Sequence, residues 1–149
     1  MQRIADIQSL IDGIVHWETQ QAPNGADLTV DEVFRVTGPG QLDFGGSEFA
    51  EAPRERLAPT KADPDDSYGW WRLDEGTYIV RYNETLKCTE HQPARLTPLR
   101  RLLLAGADHA IRVLNETERP LEMLLRVGAG GCDLKENCRI SRVEVFTSA

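Results

Sequence analysis

Two residue pairs carry the side-chain types of a zinc site. Cys88-x-x-His91 and Cys132-x5-Cys138 together offer four ligands of the right kind. The second spacing is wider than structural pairs usually show, and nothing in the order of the chain brings the halves together. Three cysteines also make an odd count, poorly suited to a secreted disulfide framework. A Cys132–Cys138 bridge could close across a loop, but reduced structural thiols are the preferred reading. The histidines His16, His91 and His109 lie far apart, and two have an acid beside them, in Glu90-His91 and Asp108-His109. Neighbours on a strand point to opposite faces, so neither pair is a ready-made dyad, and solvated surface histidines are expected. Arg100-Arg101, with Arg95 nearby, is a compact basic spot that could hold phosphate; a solvated arginine pair is the alternative. No Ser-His-Asp elbow, P-loop or dinucleotide glycine pattern is present. Residue chemistry alone names no reaction.

The elements that would position these groups read as one domain over residues 1–149. A chain of 149 residues with 40% hydrophobic content can bury a real core. Its formal charge of -7 repels a phosphate backbone and argues against nucleic-acid binding. No apolar run approaches the roughly 18 residues that span a bilayer, and no basic-then-apolar leader opens the chain, so a cytoplasmic protein without membrane contact is expected. Ile4, Ile7, Ile11 and Ile14, widened by Leu10 and Val15, recur at helical steps and predict an N-terminal helix. Leu28–Val30 and Val33–Val36 read as two short strands interrupted by Asp31-Glu32. Residues 49–67, with Pro53, Pro59 and Pro64, read as a long surface loop. Tyr68–Leu73, Thr77–Arg81, Ala110–Leu114, Leu121–Val127 and Arg139–Phe146 read as strands, with a short helix between Pro98 and Gly106. Short strands with regular turns indicate a β-sandwich or barrel.

Three stretches resemble the dUTPase and dCTP deaminase superfamily, especially the short archaeal-type dUTPases. Ala22-Pro23-Asn24-Gly25-Ala26-Asp27-Leu28-Thr29-Val30 is similar to that family's early Gln-Pro-x-Gly-x-Asp-Leu-Thr segment. Glu32-Val33-Phe34, a Gly-Pro-Gly turn and Leu42-Asp43-Phe44 follow it, as there. Leu73 to Glu84 resembles the Leu-x-Pro-Gly-x-Tyr-x-Val-x-x-Asn-Glu hairpin. Leu121–Val127 with Cys138–Phe146 resembles the closing strands. The resemblance implies a mainly β fold, a distorted β-barrel or jelly-roll-like dUTPase fold with a short N-terminal helix, assembled as a homotrimer with sites between subunits. It also implies Mg2+ carried with the nucleotide if the chain is active, and otherwise no cofactor and no resident metal.

The sequence departs from the family where its chemistry sits. Leu99-Arg100-Arg101 stands where an Arg-Ser-Ser phosphate motif is expected. Leu114 and Thr117 stand where the aspartate and tyrosine of the pyrimidine hairpin belong, and the chain ends at Ala149, three residues after Phe146, without a Gly-rich arm. Water needs a carboxylate to activate it, and phosphate oxygens need donors to hold developing charge. These losses lead to the expectation of a dUTPase-fold protein that has lost pyrophosphatase chemistry and acts as a structural, regulatory or phosphate-ligand-binding protein. Arg100 and Arg101 would then bind a deoxynucleotide or another phosphate-bearing ligand. The alternative is an active dUTP diphosphatase or dCTP deaminase with a rearranged site, using Glu116 or Glu118 as base.

Overall fold

The structure is a computed structural model that describes residues 2–3 and 6–147, with side chains over 6–146. In chain order it forms β1 (Gln2–Arg3), a 3-10 turn (Gln8–Leu10), β2 (Ile11–Asp12), α1 (Trp17–Gln20), β3 (Gln21–Ala22), β4 (Gly25–Val36), β5 (Arg54–Leu57) and β6 (Trp70–Leu73). There follow β7 (Gly76–Tyr82), β8 (Thr85–Leu86), β9 (Ala94–Pro98), α2 (Arg100–Leu104), β10 (Ala107–Asp108), β11 (Arg112–Leu114), β12 (Glu122–Val127), β13 (Cys132–Lys135) and β14 (Arg139–Thr147). The expected mainly β fold is what the chain adopts.

The principal sheet runs β10-β12-β7-β4-β14-β9-β11, with β1 beside β14 and β3 and β5 beside β4. Its two end strands, β10 and β11, are consecutive in the chain and joined by His109, Ala110 and Ile111 alone. Three residues cannot span a flat sheet of this width, so the sheet curls until its edges nearly meet, as a half-barrel. Alternation fills the interior. Tyr78, Val80 and Tyr82 of β7 and Met123, Leu125 and Val127 of β12 are buried, while Leu124 and Arg126 between them are exposed. Each of these large side chains contributes about 1.5–3 kcal/mol through burial.

Asp31-Glu32 does not break the chain into two strands. The pairing of β4 with β7 shifts register between Val30 and Glu32, so Val30 and Val33, three apart, both point inward. A bulge thus re-phases one long strand. The open face beyond the bulge carries a charge ladder. Arg81 donates to Glu32 and Glu122, Arg56 to Glu32 and Arg54 to Glu122. The Arg54 and Arg81 guanidiniums lie over the Phe34 ring, at 4.6 and 5.0 Å from its centroid.

Two other expectations are corrected and one strand is added. The isoleucine stripe is not a helix. Ile4 lies outside the described residues, and Ile7 and Ile11 are buried but cap a 3-10 turn and open a two-residue strand. Gly13 stops any helix there, with φ +85° and an added Cβ only 2.3 Å from the Asn83 carbonyl oxygen. The short helix comes later, at Trp17–Gln20. Within 49–67, Arg54–Leu57 pairs with Val33–Val36 as β5, because the prolines flank that strand rather than interrupt it. The unforeseen β13 pairs with β6, turning Trp71 and Leu134 into the core and leaving Asp133 and Lys135 exposed.

Candidate functional site

A cavity of about 480 Å3 opens between the β6–β13 ribbon, the start of α1 and the outer side of α2. Arg101 and Leu102 line it from α2, Trp70 and Lys135 from the ribbon, and His16 and Thr19 from α1, while Glu136, Asn137 and Arg139 close the turn into β14. Among the described residues neither Arg101 nor Lys135 has a carboxylate partner, although the chain as a whole is acidic. Arg139 is not free. It donates to Asp27 at 3.1 Å, and Arg142 donates to the same buried carboxylate at 2.6 Å. Glu136 accepts the Gly69 N–H through one oxygen at 2.8 Å and lines the cavity. Arg101 and Lys135, with no carboxylate partner among the described residues, therefore share one concavity with the Glu136 carboxylate, the Arg72-bound carboxylate of Asp133 and an indole, and its size suits a small ligand.

The wall behind the cavity is a buried polar network. Glu84, fully buried, accepts the Thr29 N–H at 2.8 Å, the Thr29 hydroxyl at 2.6 Å and the Gln20 amide at 2.8 Å. Burial pushes its carboxyl above the ordinary range, and the hydrogen bonds from Thr29 and Gln20 pull it back. Gln20 in turn accepts the N–H groups of Val15 and His16 at 2.8 Å each, which fixes the approach to α1. Asn83 donates to the Thr29 hydroxyl and to Asn137, tying the 135–138 turn to β4. No buried side-chain polar atom among the described residues lacks a partner. A wall satisfied in this way has one arrangement, so it holds Arg139 and Asn137 in place at the rim.

The sequence-derived site residues separate in space. Arg101 lines the cavity; Arg100 is exposed and does not. Glu116 is exposed on the connection from β11 to β12, and Glu118 is bound to Arg112 at 2.7 Å. Neither glutamate lines the Arg101 cavity. Cys88 and Cys132 are buried, Cys138 is half-buried, and all three are free thiols. Burial raises the Cys88 and Cys138 thiols to about 11. Among the described residues no group of three or more His, Cys, Asp or Glu gathers to hold a metal.

His16 and His91 are exposed, as expected, but His109 is not. It is 3% exposed, with Nδ1 2.8 Å from the Ala110 carbonyl and Nε2 2.8 Å from the Ser141 hydroxyl, which lies 2.6 Å from the Tyr82 hydroxyl. Its ring turns inward because it sits where the chain crosses between the two sheet edges. Burial there pushes its pKa below the ordinary value. Sequence reasoning missed Lys135 and Glu136. The signal was the alternation Cys132-Asp133-Leu134-Lys135, which, once paired with Trp70–Leu73, sets Lys135 opposite Trp70.

No family model matches the chain. A probable deoxyuridine 5'-triphosphate nucleotidohydrolase of Methanosarcina mazei is 32% identical over 140 residues, which cover 93% of this chain and 78% of that protein. Its namesake from Methanosarcina acetivorans is 31% identical over the same shares. The crystal structure of 2'-deoxycytidine 5'-triphosphate deaminase from Agrobacterium tumefaciens superposes with a TM-score of 0.63 at 15% identity. That match covers 95% of this chain and 44% of the deaminase, so the chain spans less than half of it, and the likeness speaks for fold alone. No helix among the described residues is long and apolar enough to cross a membrane.

These relatives overturn the expectation of a scaffold stripped of its chemistry. That expectation rested on a few motif positions. The likeness to proteins named as probable nucleotidohydrolases runs through nearly the whole chain, and nothing in it indicates lost catalysis. The chain belongs to the deoxyuridine 5'-triphosphate nucleotidohydrolase family.

Proposed function

We propose that the chain hydrolyses a deoxynucleoside triphosphate, dUTP first, to the monophosphate and pyrophosphate. The observation that carries this is the 32% identity over 93% of the chain to a probable dUTP nucleotidohydrolase. The cavity offers the chemistry such a step needs. Arg101 and Lys135, which both line it, take phosphate oxygens in this reading, and a guanidinium can do so through two parallel hydrogen bonds. Glu136 orients a water and takes its proton as the water oxygen bonds to the α-phosphorus. The α–β bridging bond then breaks, and pyrophosphate leaves with the bridging oxygen. Mg2+ arrives with the triphosphate as part of the substrate, since the ion binds mainly through phosphates and its own waters.

Arg100, exposed beside Arg101, meets the outer phosphates. A homotrimer is part of this reading. Leu42, Phe44, Phe49 and Leu124 are exposed apolar residues of a kind that association covers. In such an assembly Glu116 of one copy is the competing source of the carboxylate for another copy's cavity. The enzyme would act on the cytoplasmic nucleotide pool.

The test is turnover of dUTP and dCTP with Mg2+, with products separated by ion exchange. dUMP and pyrophosphate from dUTP are expected. Conversion of dCTP to dUTP would mark a deaminase instead, and no turnover of either by folded protein overturns the reading.

A further inference from the structure

The indole of Trp70 stands between two concavities. Arg72 lines one of them together with Thr60 and Leu57. Lys135 lines the other, which is the Arg101 cavity. Both cations lie over the ring, the Arg72 guanidinium at 4.9 Å and the Lys135 ammonium at 5.5 Å from its centroid. They are not equivalent. Arg72 is fixed by Asp133 at 2.8 Å, whereas Lys135 has no carboxylate partner among the described residues. The backbone of Trp70 is fixed too. It exchanges hydrogen bonds with Thr60 at 2.8 and 2.9 Å and pairs with Lys135 in the ribbon.

Resting on the hydrolase reading of this cavity, we propose that Trp70 is the platform on which the nucleotide base stacks, and that Lys135 moves from the ring to the phosphates when nucleotide binds. A half-buried indole offers a flat π-face at low entropic cost, because the ribbon and the Asp133-bound Arg72 hold it in place. The Lys135 ammonium lies over the ring on a flexible four-carbon stem, lines the cavity and has no carboxylate partner among the described residues. A base can take that place without leaving any charge buried, because the displaced ammonium gains a phosphate. Stacking of this kind is tolerant of base identity, so Trp70 sets affinity for a nucleotide over a bare polyphosphate, and other groups choose the pyrimidine.

Calorimetric titration separates the two claims, using an α,β-imido analogue of dUTP with Mg2+ and inorganic tripolyphosphate as probes. Trp70→Leu should weaken the analogue on the order of ten- to a hundredfold and leave tripolyphosphate within about twofold. Trp70→Phe, which keeps a ring in the same site, should recover most of the loss. Lys135→Met should weaken both probes. In the unaltered protein the analogue should quench tryptophan emission, and tripolyphosphate should not. If Arg101→Ala weakens both probes while Trp70→Leu and Trp70→Phe weaken neither, the platform is overturned and the phosphate site stands. If the unaltered protein binds neither probe, or Arg101→Ala changes neither affinity, the reading of the cavity falls and the platform with it.

Discussion

Ser141→Ala tests whether the crossing between the two sheet edges is held by a directed hydrogen-bond chain. The Ala110 carbonyl can only accept, so His109 Nδ1 carries the proton and Nε2 must accept. The Ser141 hydroxyl therefore donates to His109, and the Tyr82 hydroxyl donates to Ser141. Deleting the Ser141 oxygen orphans a donor and an acceptor at once, beneath residues 3 and 4% exposed. At about 1–3 kcal/mol for each buried unsatisfied group, the cost is about 2–6 kcal/mol. One hydroxyl leaves too little room for a replacement water, which occupies about 30 Å3 in the liquid. Tyr82→Phe removes only the outer donor and should cost about 1 kcal/mol. The double variant should cost about 1–3 kcal/mol less than the sum, because the second change deletes an orphan created by the first. Urea unfolding at pH 7.5 and one fixed protein concentration reads all four corners of the cycle. A Ser141→Ala loss below about 1 kcal/mol, or additivity within about 0.5 kcal/mol, would refute the chain as drawn.

The pH dependence of stability has a definite sign. Because burial holds His109 below its ordinary value of about 6.5, the unfolded chain binds more protons, so stability is fully present above that value and falls as pH drops below it. Glu84, held above its ordinary value, acts oppositely, and its contribution is present at low pH and lost as pH rises through its folded value. The difference between unaltered protein and His109→Gln in melts from pH 7.5 to 5 isolates the histidine, and an unchanged slope counts against it. Asp27→Asn should cost about 2–3 kcal/mol by stripping two guanidiniums of a buried carboxylate, less than for a wholly buried pair because both arginines are a third exposed. In the turnover assay Arg101→Ala should lower kcat/KM about a hundredfold. Glu136→Gln should lower kcat on the order of 10²- to 10⁴-fold with unchanged circular dichroism. If Glu116→Gln does so instead, the carboxylate comes from a neighbouring copy.

Strands whose alternation is complete, or in β14 imperfect but still visible, were legible from residue types alone. β7, β12 and β14 lie where Thr77–Arg81, Leu121–Val127 and Arg139–Phe146 read as strands, and α2 falls between Pro98 and Gly106. What was hidden depended on partners distant in sequence. Asp31-Glu32 looks like a break until β7 supplies a shifted register, and Arg54–Leu57 looks like loop until Val33–Val36 offers an edge. The isoleucine stripe had a helical period, but a glycine pressed against the Asn83 carbonyl set the backbone instead. At the site, Arg101 could be picked out as a cation with phosphate chemistry, but not the turn that brings Glu136 and Lys135 to face it. His109 next to Asp108 reads as surface, because a three-residue crossing between sheet edges leaves no mark in composition.

The position of β4 sets an order of events during synthesis. Its Asp27–Thr29 edge is completed only by β14, and Arg139 lies 112 residues beyond Asp27. At ~5–20 residues per second, a ribosome needs roughly 6 to 22 seconds to make that stretch. Through that interval the nascent chain carries Leu28 on a strand with one edge unpaired, a template for any other strand nearby. Growth temperature and holdase chaperones should therefore govern the yield of native protein more than the finished fold's stability does, because the hazard ends when β14 docks.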